Sequence, residues 1–347
     1  MKSVKLSALT VQMPRRSYAN DDPVFERLPE MSNRWWKFWG VQKRGYFRPE
    51  DGENEYRAAA ECVKRILTST GLVPDDIDLV ICASSCPVMT DGPDELAKRP
   101  RLYPRLNAAL KRDFGFSNAL CWDVQMECAS FLLAMGQATA FIKSGQARNA
   151  LVICSEYISN MLDFTARSAT IFGDGCACAL LTASDDSCSD MLAMAQSSNA
   201  DFYEIATGRW RLPESPCSSD TYKLYFTLLE EGQAKMQAFV PEEVPKVVRQ
   251  ALALSDLTFR DIDFFVFHQP SPFLVHAWAS GVGCEEERTL LTMEEQGVMV
   301  SVSLPFTLFK ALQQKRIQAR QHIVLAGAAT GWGFAAQVWK MDDVVLC

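Results

Sequence analysis

The chain has 347 residues, of which 48% are hydrophobic and 22% charged, with 12 cysteines and a formal net charge of −7. This is the composition of an ordinary globular protein with an ample core, and the absence of a basic block argues against nucleic acid as a partner. No apolar run is long enough to span a membrane, and the start MKSVKLSALTVQMP turns polar too soon for a signal peptide, so a cytoplasmic location away from membranes is expected.

Residues 4–13 read as an apolar first strand. The stretch 33–47, NRWWKFWGVQKRGYF, mixes aromatic rings with arginine and lysine. Such a mixture suits the stacking of an adenine and the pairing of phosphates, and equally suits an aromatic patch packed on a sheet edge. A helix over 56–69 leads into the buried strand DLVICAS at 78–84. A helix near 102–114 and a short strand before Asp123 follow. Residues 123–145, DVQMECASFLLAMGQATAFIKSG, then place Cys128 at the first turn of a helix that is apolar on nearly every side, the pattern of a helix buried all round. Strands at 150–155 and 176–182 close a first half. Alternating strands and helices argue a layered α/β fold.

The second half repeats the first. LTSTGLVPDDIDLVICAS around Asp76 is echoed by LALSDLTFRDIDFFVFHQ around Asp261, GQARNALVICS by IQARQHIVLAG, and FGDGCACALL by TGWGFAAQVW. The echoes keep their order while the offsets shrink, which predicts a pseudo-twofold pair of halves, 1–185 and 186–347, with the chemistry where they meet. Residues 201–222 are polar and turn-rich and read as an excursion on one edge.

The cysteines are scattered, several within apolar strands, and so read as free buried thiols. The pair Cys176 and Cys178 has no second pair at zinc spacing, and no metal site is expected. Cys128 is the candidate nucleophile. The helix dipole favours its thiolate by about 0.3–1 kcal/mol, which is too little for strong activation without a base. Three histidines are available. His268 closes the strand DFFVFHQP, at a strand C-terminal end where α/β sheets place ligand-binding groups. His276, in a short helix over 272–280, and His322, opening a strand, read as packing or surface residues. Cysteine beside histidine points to nucleophilic acyl transfer. Glu127 reads as a charge favourable to a helix start, and Ser301 and Ser303 as turn and cap residues.

ECASFL, FGDGCACALL, FVFHQP and ATGWGFAA together resemble the motifs of the thiolase-like ketosynthase III family along nearly the whole chain. The resemblance implies two βαβαβαββ halves in an αβαβα stack and an acyl-Cys128 intermediate. It further implies His268 as the proton partner and an oxyanion hole from the amides of Cys128 and Gly331. Coenzyme A would bind through the Arg34, Trp35 and Trp36 region, acyl-CoA being a substrate and no cofactor being required. The family's asparagine is replaced by Val298 in GVMVSVSLP, which counts against a malonyl-consuming initiation enzyme because one lost oxyanion donor costs about 2.7–4 kcal/mol. Longer stretches (QMECASFLL, CSEYISNMLDFTARS, ATGRWRLPE, FVFHQPSPFLV, GVMVSVSLPFTL) are similar to the PqsC-type large-subunit family of 2-alkyl-4-quinolone synthases. That similarity implies an octanoyl-like acyl-CoA donor, 2-aminobenzoylacetate as acceptor, and a smaller PqsB-type partner subunit. An acyl-CoA-dependent O- or N-acyltransferase of the same fold, or a non-catalytic partner subunit, are the alternatives.

Overall fold

The computed structural model describes residues 2–86, 102–185, 188–201, 205–212, 223–228 and 230–347. In chain order the first half runs β1 (Ser3–Gln12), β2 (Ser17–Ala19), α1 (Asn33–Trp39), β3 (Lys43–Gly45), α2 (Glu55–Thr70), β4 (Leu79–Cys82), α3 (Leu106–Phe114), β5 (Leu120–Asp123), α4 (Ser130–Lys143), β6 (Asn149–Glu156) and β7 (Gly175–Ser184). The second runs β8 (Asp190–Ser198), β9 (Ala206–Arg211), β10 (Lys223–Leu228), α5 (Glu230–Leu254), β11 (Phe264–Phe267), α6 (Pro272–Gly281), α7 (Met293–Gln296), α8 (Ser303–Gln313), β12 (His322–Ala329), β13 (Gly333–Lys340) and β14 (Val345–Leu346). The helix expected from residue 102 begins at Leu106, after Pro104, because a proline disfavours helical backbone in the residue before it.

Two mixed sheets carry the repeat: β14-β1-β7-β6-β4-β5 and β11-β12-β13-β8. The registers agree position by position. Leu79 faces Ala150 as Phe264 faces Ile323, and Cys176 faces Ser155 as Phe334 faces Ala328. The connections agree too. Asp78 accepts from the amide of Asn149, and Asp263 from that of His322. Asp76 caps the Val73 amide, and Asp261 that of Thr258. The aspartates of the DDIDL and RDIDF echoes are therefore repeated carboxylate locks between consecutive strands. The C-terminal β14 crosses over and extends the first sheet along β1.

The long apolar helix, α4, buries most of its surface, with Leu132, Ala134, Met135, Ala138 and Ile142 at 0% exposure, and shares one core with α8 and with strands of both sheets. It is not buried all round as its pattern suggested, because Leu133, Gln137 and the exposed Ala140 mark a more open face. α2 and α3 cover the outer face of the first sheet, and α5 packs on β8, β12 and β13 of the second, giving five layers. The thiols of Cys62, Cys176 and Cys178 are buried within the outer core of the first half. Of the expected polar excursion, residues 202–204 and 213–222 lie outside the described residues. Its residues 206–211 form β9, which pairs antiparallel with β10 beyond it.

Candidate active site

Cys128 sits just ahead of α4, in the 3₁₀ turn Glu127–Ala129. The turn is held by Ser130, whose hydroxyl accepts from the Met126 amide at 2.8 Å and donates to the Glu127 carbonyl. Glu127 takes φ 39°, a left-handed value that turns the chain sharply and presents the next side chain inward. The second half builds the same elbow in the turn Val300–Val302. There Ser303 accepts from the Met299 amide at 2.9 Å and Val300 holds φ 48°. Ser301 is thus the structural twin of Cys128. Its hydroxyl donates to Glu156.

A cavity of about 750 Å³, its open mouth included, lies over the Cys128 elbow. Its walls are apolar, with Trp39, Ile158, Met161, Phe172, Phe226 and Leu274 among them. Phe226 and Leu228 come from β10, just past the expected excursion, so the strand that pairs with its residues 206–211 supplies part of the cavity wall. The polar groups of the lining are few: Cys128, Glu127, Ser85, Thr330 and His268.

His268 follows β11, with 1% of its surface exposed, and its amide bonds the Ala326 carbonyl on β12. Gly327 is needed there, because a Cβ at that position would lie 2.7 Å from the His268 Cβ. Burial drives the imidazole pKa down to about 3, so it is neutral at physiological pH, and its Nδ1 has no hydrogen-bond partner among the described residues. The Cys128 thiol is pushed well above its ordinary value, first by burial and then by the nearby Glu127 and Glu156 carboxylates. This corrects the expectation of a thiol lowered by its helix. Desolvation outweighs a partial dipole charge, and resting cysteine and histidine are both neutral rather than an ion pair.

Opposing these effects, the amides of Cys128 and Thr330 favour the thiolate. Gly331 follows Thr330 in the same turn, with φ 82° and open space around its Cα. Val298 is buried and faces the cavity, its amide bonded to the Ile171 carbonyl at 2.9 Å. The GDG and GV segments cross closely here. A Cβ on Gly173 would lie 2.2 Å from the Gln296 carbonyl, so the crossing fixes where Val298 points.

The aromatic-cationic segment divides. Phe38 and Trp39 line the cavity, whereas Trp35 packs on the core with its Nε1 donating to Thr170 Oγ1 at 3.1 Å. Trp36 is half-buried and Arg34 exposed. Arg44, grouped with the candidate phosphate ligands, is fully buried and clamps the Tyr18 and Thr170 carbonyls, so it is not available to a phosphate. His276 is exposed and His322 opens β12. Sequence reasoning missed two residues, the fully buried Glu156 and the cavity-lining Ser85. The signal for Glu156 was a lone acid ending an apolar strand, LVICSE.

Two sheets stacked about buried twin helices, with a thiol and an imidazole facing one cavity, have the thiolase-like architecture of condensing acyltransferases, and the chain belongs to the ketosynthase III family. The family model for 3-oxoacyl-[acyl-carrier-protein] synthase III matches residues 122–200, and its C-terminal counterpart matches 252–341. Within the family the chain is a PqsC-type, ketosynthase III-like protein. It is 53% identical, over 100% of both chains, to the 2-heptyl-4(1H)-quinolone synthase subunit PqsC of Pseudomonas aeruginosa. It is 26% identical to a β-ketoacyl-[acyl-carrier-protein] synthase III of Aliarcobacter butzleri, over 93% of this chain and 94% of that one. The crystal structure of FabH from P. aeruginosa PAO1 superposes with a TM-score of 0.82 at 20% identity, covering 99% of each chain. Xanthomonas campestris OleA, solved with bound lauric acid and lauroyl-CoA, superposes with a TM-score of 0.80 at 16% identity, over 97% of this chain and 99% of that one. Among the described residues no helix is long and apolar enough to cross a membrane.

Proposed function

We propose that the chain takes a medium-chain acyl group, octanoyl in the simplest case, from coenzyme A onto Cys128 and condenses it with 2-aminobenzoylacetate to give a 2-alkyl-4-quinolone. The observation that carries this reading is the cavity floor, where thiol, neutral imidazole and two amides converge while Val298 presents hydrocarbon in place of a third polar donor. In the first half-reaction the sulfur attacks the thioester carbonyl as His268 takes its proton, the amides hold the oxyanion, and coenzyme A leaves as a thiol with that proton. A neutral imidazole suits the role, since a base must be free to accept.

In the second half-reaction the acceptor loses carbon dioxide. Its carbanion attacks the acyl carbonyl, a carbon–carbon bond forms, the C–S bond breaks and Cys128 is released. Conjugation with the aryl ketone stabilises this carbanion, so the missing asparagine is tolerable. The amine then closes on the new ketone with loss of water. The apolar walls support an alkyl donor: each methylene buried contributes about 0.8 kcal/mol, or roughly fourfold in preference, until the cavity is full. Kinship to a synthase subunit supports assembly with a smaller, PqsB-type partner.

Intact-mass measurement after incubation with octanoyl-CoA tests the first step: an octanoyl gain on wild type that is absent in Cys128→Ala supports loading, and no gain removes it. Quinolone absorbance on adding 2-aminobenzoylacetate tests the second. A loaded enzyme that ignores this acceptor points instead to an O- or N-acyltransferase of the same fold.

A further inference from the structure

Glu127 stands beside Cys128 on the cavity floor, and the chemistry above gives it no task. Its backbone strain does not explain it, because the twin elbow holds the same left-handed turn with a valine, Val300. Nor does the helix start explain it: the first turns of the twin segment carry no acidic residue. The elbow thus needs a shape at this position, not a carboxylate.

The carboxylate is nonetheless held toward the cavity. Its Oε1 accepts from Gln125 Nε2 at 2.9 Å, and the same nitrogen is anchored on the Ser85 carbonyl at 3.2 Å. Ser85 after β4 adds a buried hydroxyl that faces the same cavity and stands close enough to Glu127 to favour its charged form. The other ionisable groups around the cavity floor are Cys128 on the same turn, Cys86 after β4, Glu156 at the end of β6 and His268 after β11. Among the described residues no lysine or arginine lines the cavity. Served by Gln125 and Ser85 but by no cation, the carboxylate keeps acceptor capacity toward the cavity that a donor on a ligand can fill.

Building on the proposed condensation, we propose that Glu127 is the specificity-determining residue for the acceptor: its carboxylate accepts a hydrogen bond from the aromatic amine and so turns the carbanion carbon toward acyl-Cys128. Burial, reinforced by Glu156, raises its pKa to about 7, so the form that accepts best fills as pH rises through neutrality. The same charge opposes the Cys128 thiolate. Glu127 therefore acts in opposite directions on the two half-reactions.

The test compares 2-aminobenzoylacetate with benzoylacetate, which lacks the amine, using the chain in its native assembly with wild type, Glu127→Ala and Glu127→Gln. Wild type should prefer the amine-bearing acceptor in kcat/KM by at least about tenfold, the value of a hydrogen bond to a charged group. Glu127→Ala should lose that preference and Glu127→Gln should keep part of it. Both should load from octanoyl-CoA no more slowly than wild type, which also shows that they are folded. Equal losses on both acceptors, or an unchanged preference, would overturn the assignment to Glu127 alone. A wild-type enzyme that loads but consumes neither acceptor would overturn the quinolone reading and this one with it.

Discussion

The two elbows, one ahead of α4 and one ahead of α8, are the same piece of architecture with different chemistry. Each has a serine at the helix start whose hydroxyl accepts from the amide four residues earlier, and each has a non-glycine residue in left-handed backbone. Such a residue costs about 1–2 kcal/mol, a strain the surrounding core must hold. In the first half the inward position is a thiol on a cavity with an imidazole across it. In the second it is Ser301, whose hydroxyl is consumed by Glu156, itself held by the amides of Ser85 at 2.7 Å and Cys86 at 3.1 Å. Duplication supplied the geometry twice, and one copy became a support for the other.

That division of labour can be broken from either side. The largest effect is expected from Cys128→Ala, which should abolish covalent loading and reduce turnover by at least about 10³-fold, read by intact mass and product formation. His268→Ala should slow loading by about 10²–10⁴-fold; normal loading in that variant would remove the imidazole from the first step. Gly327→Ala drives a methyl group into the His268 Cβ, and a displaced base should lower kcat by about 10²-fold with the fold retained, checked by circular dichroism. Ser301→Ala should behave in the opposite manner. Glu156 loses a donor and stability falls by about 1–3 kcal/mol in denaturant unfolding, while Cys128 still loads. If Ser301→Ala instead abolished loading, the second elbow would be more than a support.

The smallest expected effect is a pH dependence. Because Glu127 has its pKa raised from 4.5 to about 7, the folded state holds a proton that the unfolded state has lost between those values, so its contribution to stability falls as pH rises through that window. Wild type and Glu127→Gln should therefore diverge in melting temperature between pH 5 and pH 8, with the variant gaining relative to wild type as the pH rises. His268 adds no such slope above pH 7, being neutral in the folded and unfolded states alike.

Much of the molecule was legible in the sequence, and the reason is periodicity. The repeated Asp-Ile-Asp turns, the mostly apolar helix of residues 130–143 and the glycine pairs are local patterns with local physical causes, so the layered α/β fold, its pseudo-twofold repeat, and Cys128 and His268 as candidates could be named from them. What the tertiary structure alone decided were quantities set by burial and by neighbours distant in sequence. The Cys128 thiol is raised rather than lowered because enclosure and two carboxylates, one of them 28 residues away on β6, outweigh the end of a helix. Arg44 became a clamp and Trp35 a packing residue, leaving Phe38 and Trp39 to face the cavity. The Thr330 amide joined that of Cys128 in favouring the thiolate. A sequence specifies which groups are available, but desolvation and Coulomb interactions depend on distances that exist only once the two halves have packed together.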